Sequence, residues 1–398
     1  MVFDLQPIEN NLNLLLKNKE LAQRVTKLLH KLASELAQRG KKPIKLMNFC
    51  GTHEWTTVHY GVRSLMPPNV ELIAGPGCPV CITPSYCIEN AIKLALDGIT
   101  VYTFGDAYKL PAMRQVQGTR NLAEAKAQGG DVKVVYSFLD AVKHVRVSGR
   151  ESVFLAIGFE TTAPSYALPL SRGAVPDNLK LLTALRLTPP AARHAILTIT
   201  EHGLDPVSGI IAPGHVSAVI GAGPWDQLAK DLRLPAVVSG FEPIDLLISI
   251  SVLLKMILNK VSGARIEYTR VVSWNGNMLA KKLIENVFEV VDSHWRGLGF
   301  IPSSGLELKT FYKVYDAYDA YGLKKVEEKK NMHNGCRCPE VIMGLAKPVD
   351  CPLFMRACTP LKPYGPCMVS SEGTCAIWAR FGGGGLADRV AETLESSS

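Results

Sequence analysis

The sequence lacks the features that mark exported, membrane-spanning or nucleic-acid-binding chains. Its start, Met1-Val2-Phe3-Asp4-Leu5-Gln6-Pro7, has no basic stretch followed by an apolar one, so no secretory signal is expected there. The most apolar run, Ile244 to Leu258, is broken by Asp245, Ser249, Ser251 and Lys255. It is too short to span a bilayer and is expected to be a buried helix. Lysine and arginine outnumber acidic residues, 44 to 36, but they are scattered and no recognition motif accompanies them. The net charge of +8 therefore reads as a solvated basic surface, and neither nucleic acid nor membrane is expected as a partner. Cysteine is missing from the whole stretch between Cys87 and Cys336.

What is there is equally informative. With 398 residues, 47% hydrophobic and 20% charged, the chain can bury the cores of two or three domains. It carries ten cysteines, four from Cys50 to Cys87 and six from Cys336 to Cys375. An unexported, cytoplasmic chain keeps its thiols reduced, so this abundance points to metal binding or redox chemistry before structural disulfides.

Between the two cysteine groups the pattern is strand, loop, helix. The segment Glu9 to Arg39 has leucines and alanines at helical spacing and reads as one or two amphipathic helices. Apolar runs ending in Gly/Pro loops follow at Ile44–Phe49, Val70–Ala74, Thr100–Phe104 and Val132–Tyr136. A second series is expected at Val153–Ile157, Ala195–Thr198, Gly209–Ala212 and Ala236–Val238. Such alternation implies an α/β fold of parallel sheets with helices on both faces, here two related α/β domains facing each other across a cleft. Ligands of such sheets sit beyond the carboxyl ends of the strands. The distinctive motifs all fall there: Cys50-Gly-Thr-His-Glu54, Gly75-Pro-Gly-Cys-Pro-Val-Cys81, Gly158-Phe-Glu-Thr-Thr-Ala-Pro164, Ala212-Pro-Gly-His215 and Ser239-Gly-Phe-Glu-Pro-Ile-Asp245. A charged run, Lys324 to Lys330, reads as a linker to the cysteine-rich end, and the tail beyond Gly382 as a turn and a short polar helix.

In that end Cys336, Cys351, Cys358 and Cys375 are spaced C-x14-C-x6-C-x16-C, with Cys338 and Cys367 inside the span. The segment is rich in Pro and Gly, so a metal centre would hold it together better than a hydrophobic core. Thiolates suit zinc and iron–sulfur clusters alike, but wide spacing from separate loops fits the larger cluster better than the tight pairs of zinc fingers. The two spare thiols are either a redox pair beside the cluster or unrelated buried groups. Among the N-terminal cysteines, Cys78 and Cys81 form a C-x-x-C pair suited to redox exchange or to one side of a metal site, and its Gly75-Pro76-Gly77 lead-in is expected to leave the first thiol lightly covered. Cys50, followed by His53 and Glu54, is a candidate iron ligand or activated nucleophile. Cys87 reads as a core thiol.

These motifs, from about Lys42 to Ala379, resemble those of the HypD family of hydrogenase maturation factors. The resemblance implies three domains, set at residues 1–150 and 151–265 for the two α/β units and 266–398 for the C-terminal [4Fe-4S] domain. It implies Cys336, Cys351, Cys358 and Cys375 as cluster ligands and Cys338 with Cys367 as a redox-active pair. Cys78 and Cys81 would be a second exchangeable pair. Cys50 would hold a mononuclear iron that is acquiring cyanide and carbon monoxide, shared with a HypC-type small chaperone, while a HypE-type partner delivers cyanide. His53 and Glu54 would orient ligands or move protons. Glu160, Thr161, His215, Glu242 and Asp245 would line the same cleft, or else serve as loop anchors and helix caps. Two rivals remain at this stage: a general cluster-dependent disulfide oxidoreductase, and a zinc-stabilised binding module.

Overall fold

The structure, a computed structural model, describes residues 18–40, 43–326 and 332–382. Most of the Lys324–Lys330 run and the tail beyond Gly382 lie outside the described residues.

The described residues form eleven strands in two sheets: β1 (Ile44–Asn48), β2 (Val70–Ala74), β3 (Thr100–Thr103), β4 (Val132–Val134), β5 (Ser152–Gly158), β6 (Leu179–Arg186), β7 (Val207–Pro213), β8 (Pro235–Ser239), β9 (Gly263–Ile266), β10 (Phe288–Trp295) and β11 (Gly299–Leu308). The first sheet is wholly parallel, in the order β2-β1-β7-β8-β9. The second runs β10-β11-β6-β5-β3-β4, parallel except for β10 and β11, which add an antiparallel hairpin at one edge. The α/β architecture expected from the sequence is present.

Two expectations about strands need correction. The run Ala195–Thr198 is not a strand but the middle of the helix Thr188–Glu201. Pro189 and Pro190 open that helix where their missing N–H groups cost nothing, and Ala191, Ala192, Ala195, Ile196 and Ile199 form its buried stripe. The grouping of strands also differs from two consecutive series. β1 and β2 pair with β7, β8 and β9, while β3 to β6 build the other sheet. The spans 1–150 and 151–265 therefore each contribute strands to both sheets, because strand partners are chosen by packing across the sheet and not by order along the chain.

Both sheets are covered on both faces. Along β1, Met47 faces one apolar cluster with Trp225 and Val238, while Ile44 and Leu46 face another with Leu29, Leu32 and Leu36. Those leucines are the buried stripe of the helix Lys19–Gln38, whose first turn is capped by the Asn18 side chain. That helix packs against Pro243–Leu258, the run expected to be a buried helix. In the second sheet Val153, Leu155 and Ile157 of β5 face the cluster that contains Cys78, Cys81, Cys338, Cys358, Cys367 and Cys375. The cysteine-rich segment thus shares a core with the second sheet. It also touches the first, since a Cβ on Gly344 would meet the Met47 Cε at 2.9 Å.

Candidate thiol-lined site

In the first sheet β1 has β2 on one side and β7 on the other, so connections run outward from it in both directions. Ligands of open parallel sheets bind where strand order reverses in this way. Cys50 stands just there. It is the N-cap of the helix Gly51–His59, with extended backbone and no side-chain capping bond.

Three loops meet at this thiol. The backbone N–H of Gly51 donates to the Gly77 carbonyl at 3.2 Å, and a Cβ on Gly77 would collide with the Cys50 backbone. A Cβ on Gly51 would collide with the Glu372 backbone, so the loop before Cys375 lies directly on the helix start. Glycine is required at both positions for the backbones to approach. The resulting small cavity is lined by Cys50, Cys78, Ile342, Glu372 and Thr374 among others. Asp106, just beyond β3, accepts hydrogen bonds from Ser370 at 2.8 Å and Ser371 at 3.1 Å, which anchors the Glu372 loop to the second sheet.

The electrostatics around Cys50 favour the protonated thiol. Cys50 keeps some exposure as a residue, yet the protein packed about its sulfur pushes its pKa up to about 11, and the nearby Glu372 carboxylate adds to the rise. The backbone N–H groups of His53 and Thr52 work the other way, as expected at a helix N-terminus. Glu372 is itself raised, by burial and then by Asp106. Nothing in the spacing of Ser370-Ser371-Glu372-Gly373 distinguishes Glu372, and sequence reasoning missed it; its place three residues before Cys375 is the only hint.

Cys78 and Cys81 are joined in a disulfide. The expected light cover is absent: Cys78 is 5% exposed and Cys81 1% exposed. Packing against Ile342 and the C-terminal cysteine core accounts for this. In this oxidised form neither sulfur is a thiolate. Cys87 is a free, buried core thiol with its sulfur 3.4 Å from the Tyr318 hydroxyl.

His53 and Glu54 follow Cys50 closely but point to other work. Glu54 is buried and accepts three hydrogen bonds: from Asn48 Nδ2 at 3.1 Å, Arg63 Nη2 at 2.8 Å and the Trp378 indole at 2.7 Å. It ties the helix Gly51–His59 to the helix Thr374–Phe381. His53 is also buried, and its Nε2 lies 2.9 Å from the Gly240 carbonyl. The carbonyl can only accept, so Nε2 carries the proton and Nδ1 is a bare acceptor. Burial pulls the His53 pKa down to about 4. Its ring stacks on Phe241 at 4.7 Å, and His215 stacks on that ring at 3.8 Å.

The remaining motif residues serve as anchors. Glu160 receives the backbone N–H and the hydroxyl of Thr188, each at 2.8 Å, at the start of the helix Thr188–Glu201. Glu242 and Asp245 form a reciprocal capping box on the helix Pro243–Leu258, and Asp245 pairs with Arg270. Thr161 is exposed.

The six C-terminal cysteines are gathered closely. The Cys375 backbone N–H donates to the Cys367 sulfur at 3.3 Å, and the neighbouring Cys338 and Cys375 thiols hold Cys367 well below the usual thiol range while being pushed up themselves. Cys336, whose pKa is raised to about 12 first by burial, also feels the charges of Cys351, Cys358 and Cys367. The wall is made by close backbone approach. A Cβ on Gly365 would stand 2.6 Å from the Cys336 sulfur, and one on Gly373 would strike the Cys367 carbonyl. Among the described residues no three Cys, His, Asp or Glu side chains group closely enough to hold a single metal ion. The donor set is nonetheless all sulfur, largely buried and supplied by loops and by the first turn of the helix Thr374–Phe381, which fits a thiolate-ligated iron–sulfur cluster.

Fold and site together define a parallel α/β protein with a thiol at the reversal point of one sheet, a disulfide beside it and a cysteine-rich segment behind. The chain belongs to the HypD family, described as a hydrogenase formation family, whose pattern it matches over residues 22–382. It is 39% identical over 373 residues to hydrogenase maturation factor HypD of Cupriavidus necator, covering 92% of this chain and 96% of that one. It is 38% identical over 373 residues to hydrogenase maturation factor HypD2 of Bradyrhizobium diazoefficiens, covering 92% and 95%. With HypD of Escherichia coli it shares 38% identity over 365 residues, 89% of this chain and 93% of that one.

Proposed function

We propose that this protein is a cytoplasmic hydrogenase maturation factor that acts as an iron–sulfur scaffold, on which the iron centre of a [NiFe] hydrogenase is assembled. The observation that carries the reading is the meeting of Cys50, the Cys78–Cys81 disulfide and Glu372 around one small cavity. Cys338, Cys358, Cys367 and Cys375 lie in the adjoining core, with Cys336 packed against it. A cytoplasmic site fits the absence, among the described residues, of a helix long and apolar enough to cross a membrane.

The substrate iron is held by Cys50, shared with a HypC-type small chaperone, and a HypE-type partner brings the cyanide. Because the Cys50 thiol is pushed up to about 11, it binds iron only by giving up its proton. Glu372, the carboxylate beside it, is placed to take that proton. The N–H groups of Thr52 and His53 then stabilise the thiolate. The Gly77 loop packs on the Cys50 backbone and the Glu372 loop on Gly51, which narrows the cavity around Cys50. Cys336, Cys351, Cys358 and Cys375 would hold a [4Fe-4S] cluster, which supplies single electrons when bound. Cys338 and Cys367, buried in the same core, would be the neighbouring thiol pair.

The Cys78–Cys81 disulfide also favours a second reading, a general cluster-dependent disulfide oxidoreductase. Cys50→Ala separates the two. On the scaffold reading it leaves the cluster spectrum intact but abolishes the infrared bands of iron-bound cyanide and carbonyl in the complex with the small chaperone. Cys87→Ala, the control, changes neither. Cyanide and carbonyl bands at wild-type strength in Cys50→Ala would place the iron elsewhere. Undiminished turnover of a thioredoxin-like substrate by that variant would favour the oxidoreductase.

A further inference from the structure

A guanidinium is an unusual thing to bury, and Arg296 is among the largest fully buried side chains of the protein, at 0% exposure. It sits in the turn between β10 and β11, and three contacts fix that turn. Its backbone N–H donates to the Ile82 carbonyl at 2.8 Å, one residue beyond the Cys78–Cys81 disulfide. Its Nη1 donates to the Pro111 carbonyl at 2.7 Å. The next residue, Gly297, lies so close to the segment of Cys338 that an added Cβ would stand 2.9 Å from Pro339 Cγ. The hairpin tip is thus wedged between the N-terminal disulfide loop and the start of the cysteine-rich segment. The groups whose charges act most on Arg296 are Cys338, Cys336 and Glu89.

We propose that Arg296 is a positioning residue for the redox centre: a buried, fixed positive charge that raises the reduction potential of the cluster held by the C-terminal cysteines. The inference rests on the scaffold reading above. A cluster with four thiolate ligands is anionic, and its potential depends on the net charge around it. A nearby cation in a poorly screened interior favours the added electron. Arginine suits this place because it stays charged when buried and its fork can bond a carbonyl with one nitrogen while the charge stays spread over the whole group. Glu89 opposes it. Glu89 accepts from the Ser85 hydroxyl at 2.6 Å and feels the same guanidinium, so its negative charge lowers the potential.

The test is an EPR-monitored redox titration of the full-length protein, purified anaerobically, with iron and labile sulfide measured on each sample. Arg296→Gln keeps an N–H donor for Pro111 but removes the charge. It is expected to lower the ratio of reduced to oxidised cluster at a fixed poise at least tenfold, which is about 59 mV for one electron. Arg296→Lys restores the charge and is expected to recover most of the shift. Glu89→Gln is expected to move the potential the other way, and it decides the matter if Arg296→Gln fails to accumulate. A full cluster with unchanged potential in Arg296→Gln overturns the proposal, as does an unchanged potential in Glu89→Gln. Equal shifts in the Gln and Lys variants would make the role one of packing alone and would also overturn it. A colourless wild type without labile sulfide sinks the scaffold reading itself, a distinct outcome.

Discussion

Removing the Glu54 carboxylate is the most direct way to separate structural work from chemical work beside Cys50. The three donors on Glu54 come from three places: Asn48 at the end of β1, Arg63 in the turn after the helix, and Trp378 in the C-terminal helix. In Glu54→Ala the Asn48 amide and the Trp378 indole lose their acceptor, and each buried unpaired donor costs about 1–3 kcal/mol. The Arg63 side chain is 26% exposed and can turn to solvent, so its lost ion pair adds little. Glu54 also borders a cavity open enough to admit water. The expected loss is therefore about 2–5 kcal/mol. Glu54→Gln keeps one acceptor oxygen and is expected to lose about 1–3 kcal/mol. Equilibrium urea unfolding followed by tryptophan fluorescence measures both. Stability within about 0.5 kcal/mol of wild type, together with loss of the cyanide and carbonyl bands, would refute the reasoning. Glu54 would then be a chemical group after all.

Other outcomes follow from the same geometry. Cys351→Ala or Cys358→Ala is expected to remove the visible absorption and labile sulfide of the anaerobic protein; wild type carrying only zinc would defeat that. Mild oxidation is expected to link Cys338 to Cys367 with the cluster intact, read by peptide mapping, and two thiols that stay alkylatable would argue against it. Burial lowers the folded pKa of His53 to about 4 from the ordinary 6.5, so the unfolded chain binds its proton first. Stability is therefore unaffected above pH 6.5 and falls as pH drops from there toward 4, by about 3 kcal/mol at most. His53→Gln is expected to flatten that acid limb in urea titrations at pH 4 and 7, and an unchanged slope would refute the assignment. Gly77→Ala is expected to push the disulfide loop off Cys50, lowering stability by about 1–3 kcal/mol.

The parts of this fold that were legible in sequence are those governed by local rules. Apart from the loop after Ala195–Thr198, the Gly/Pro loops after apolar runs did mark the carboxyl ends of strands, because a parallel strand must turn sharply there to start its helix. The strand Leu179–Arg186 went unread because Lys180, Thr183 and Arg186 interrupt its apolar residues. The hairpin Phe288–Trp295 and Gly299–Leu308 was hidden too: its exposed edge alternates polar and apolar residues and carries no Gly/Pro motif of the parallel kind. Which strands share a sheet could not be read at all, since β1 chooses β7 across more than a hundred residues. The same holds for the site. Cys50 and the C-x-x-C pair announce themselves by residue type, whereas Asp106, Glu372 and Arg296 gain meaning only from neighbours distant in sequence. Glu54, close to Cys50 in sequence, turned out to be spent on Trp378, 324 residues away.

The order in which the chain visits the sheets has a consequence during synthesis. β1 leaves the ribosome early, but its sheet is incomplete until β9, and the loop that covers Cys50 follows about 320 residues after it. At ordinary elongation rates of about 5–20 residues per second, the Cys50 thiol stays uncovered for on the order of tens of seconds. The last strands and the cysteine-rich segment then act as a latch. Nascent chains stalled before Gly365 should leave Cys50 open to alkylation, and release of the full chain should close it. Cellular thiol-holding factors would have their opportunity in that interval, before the second sheet and the C-terminal cysteines shut the door.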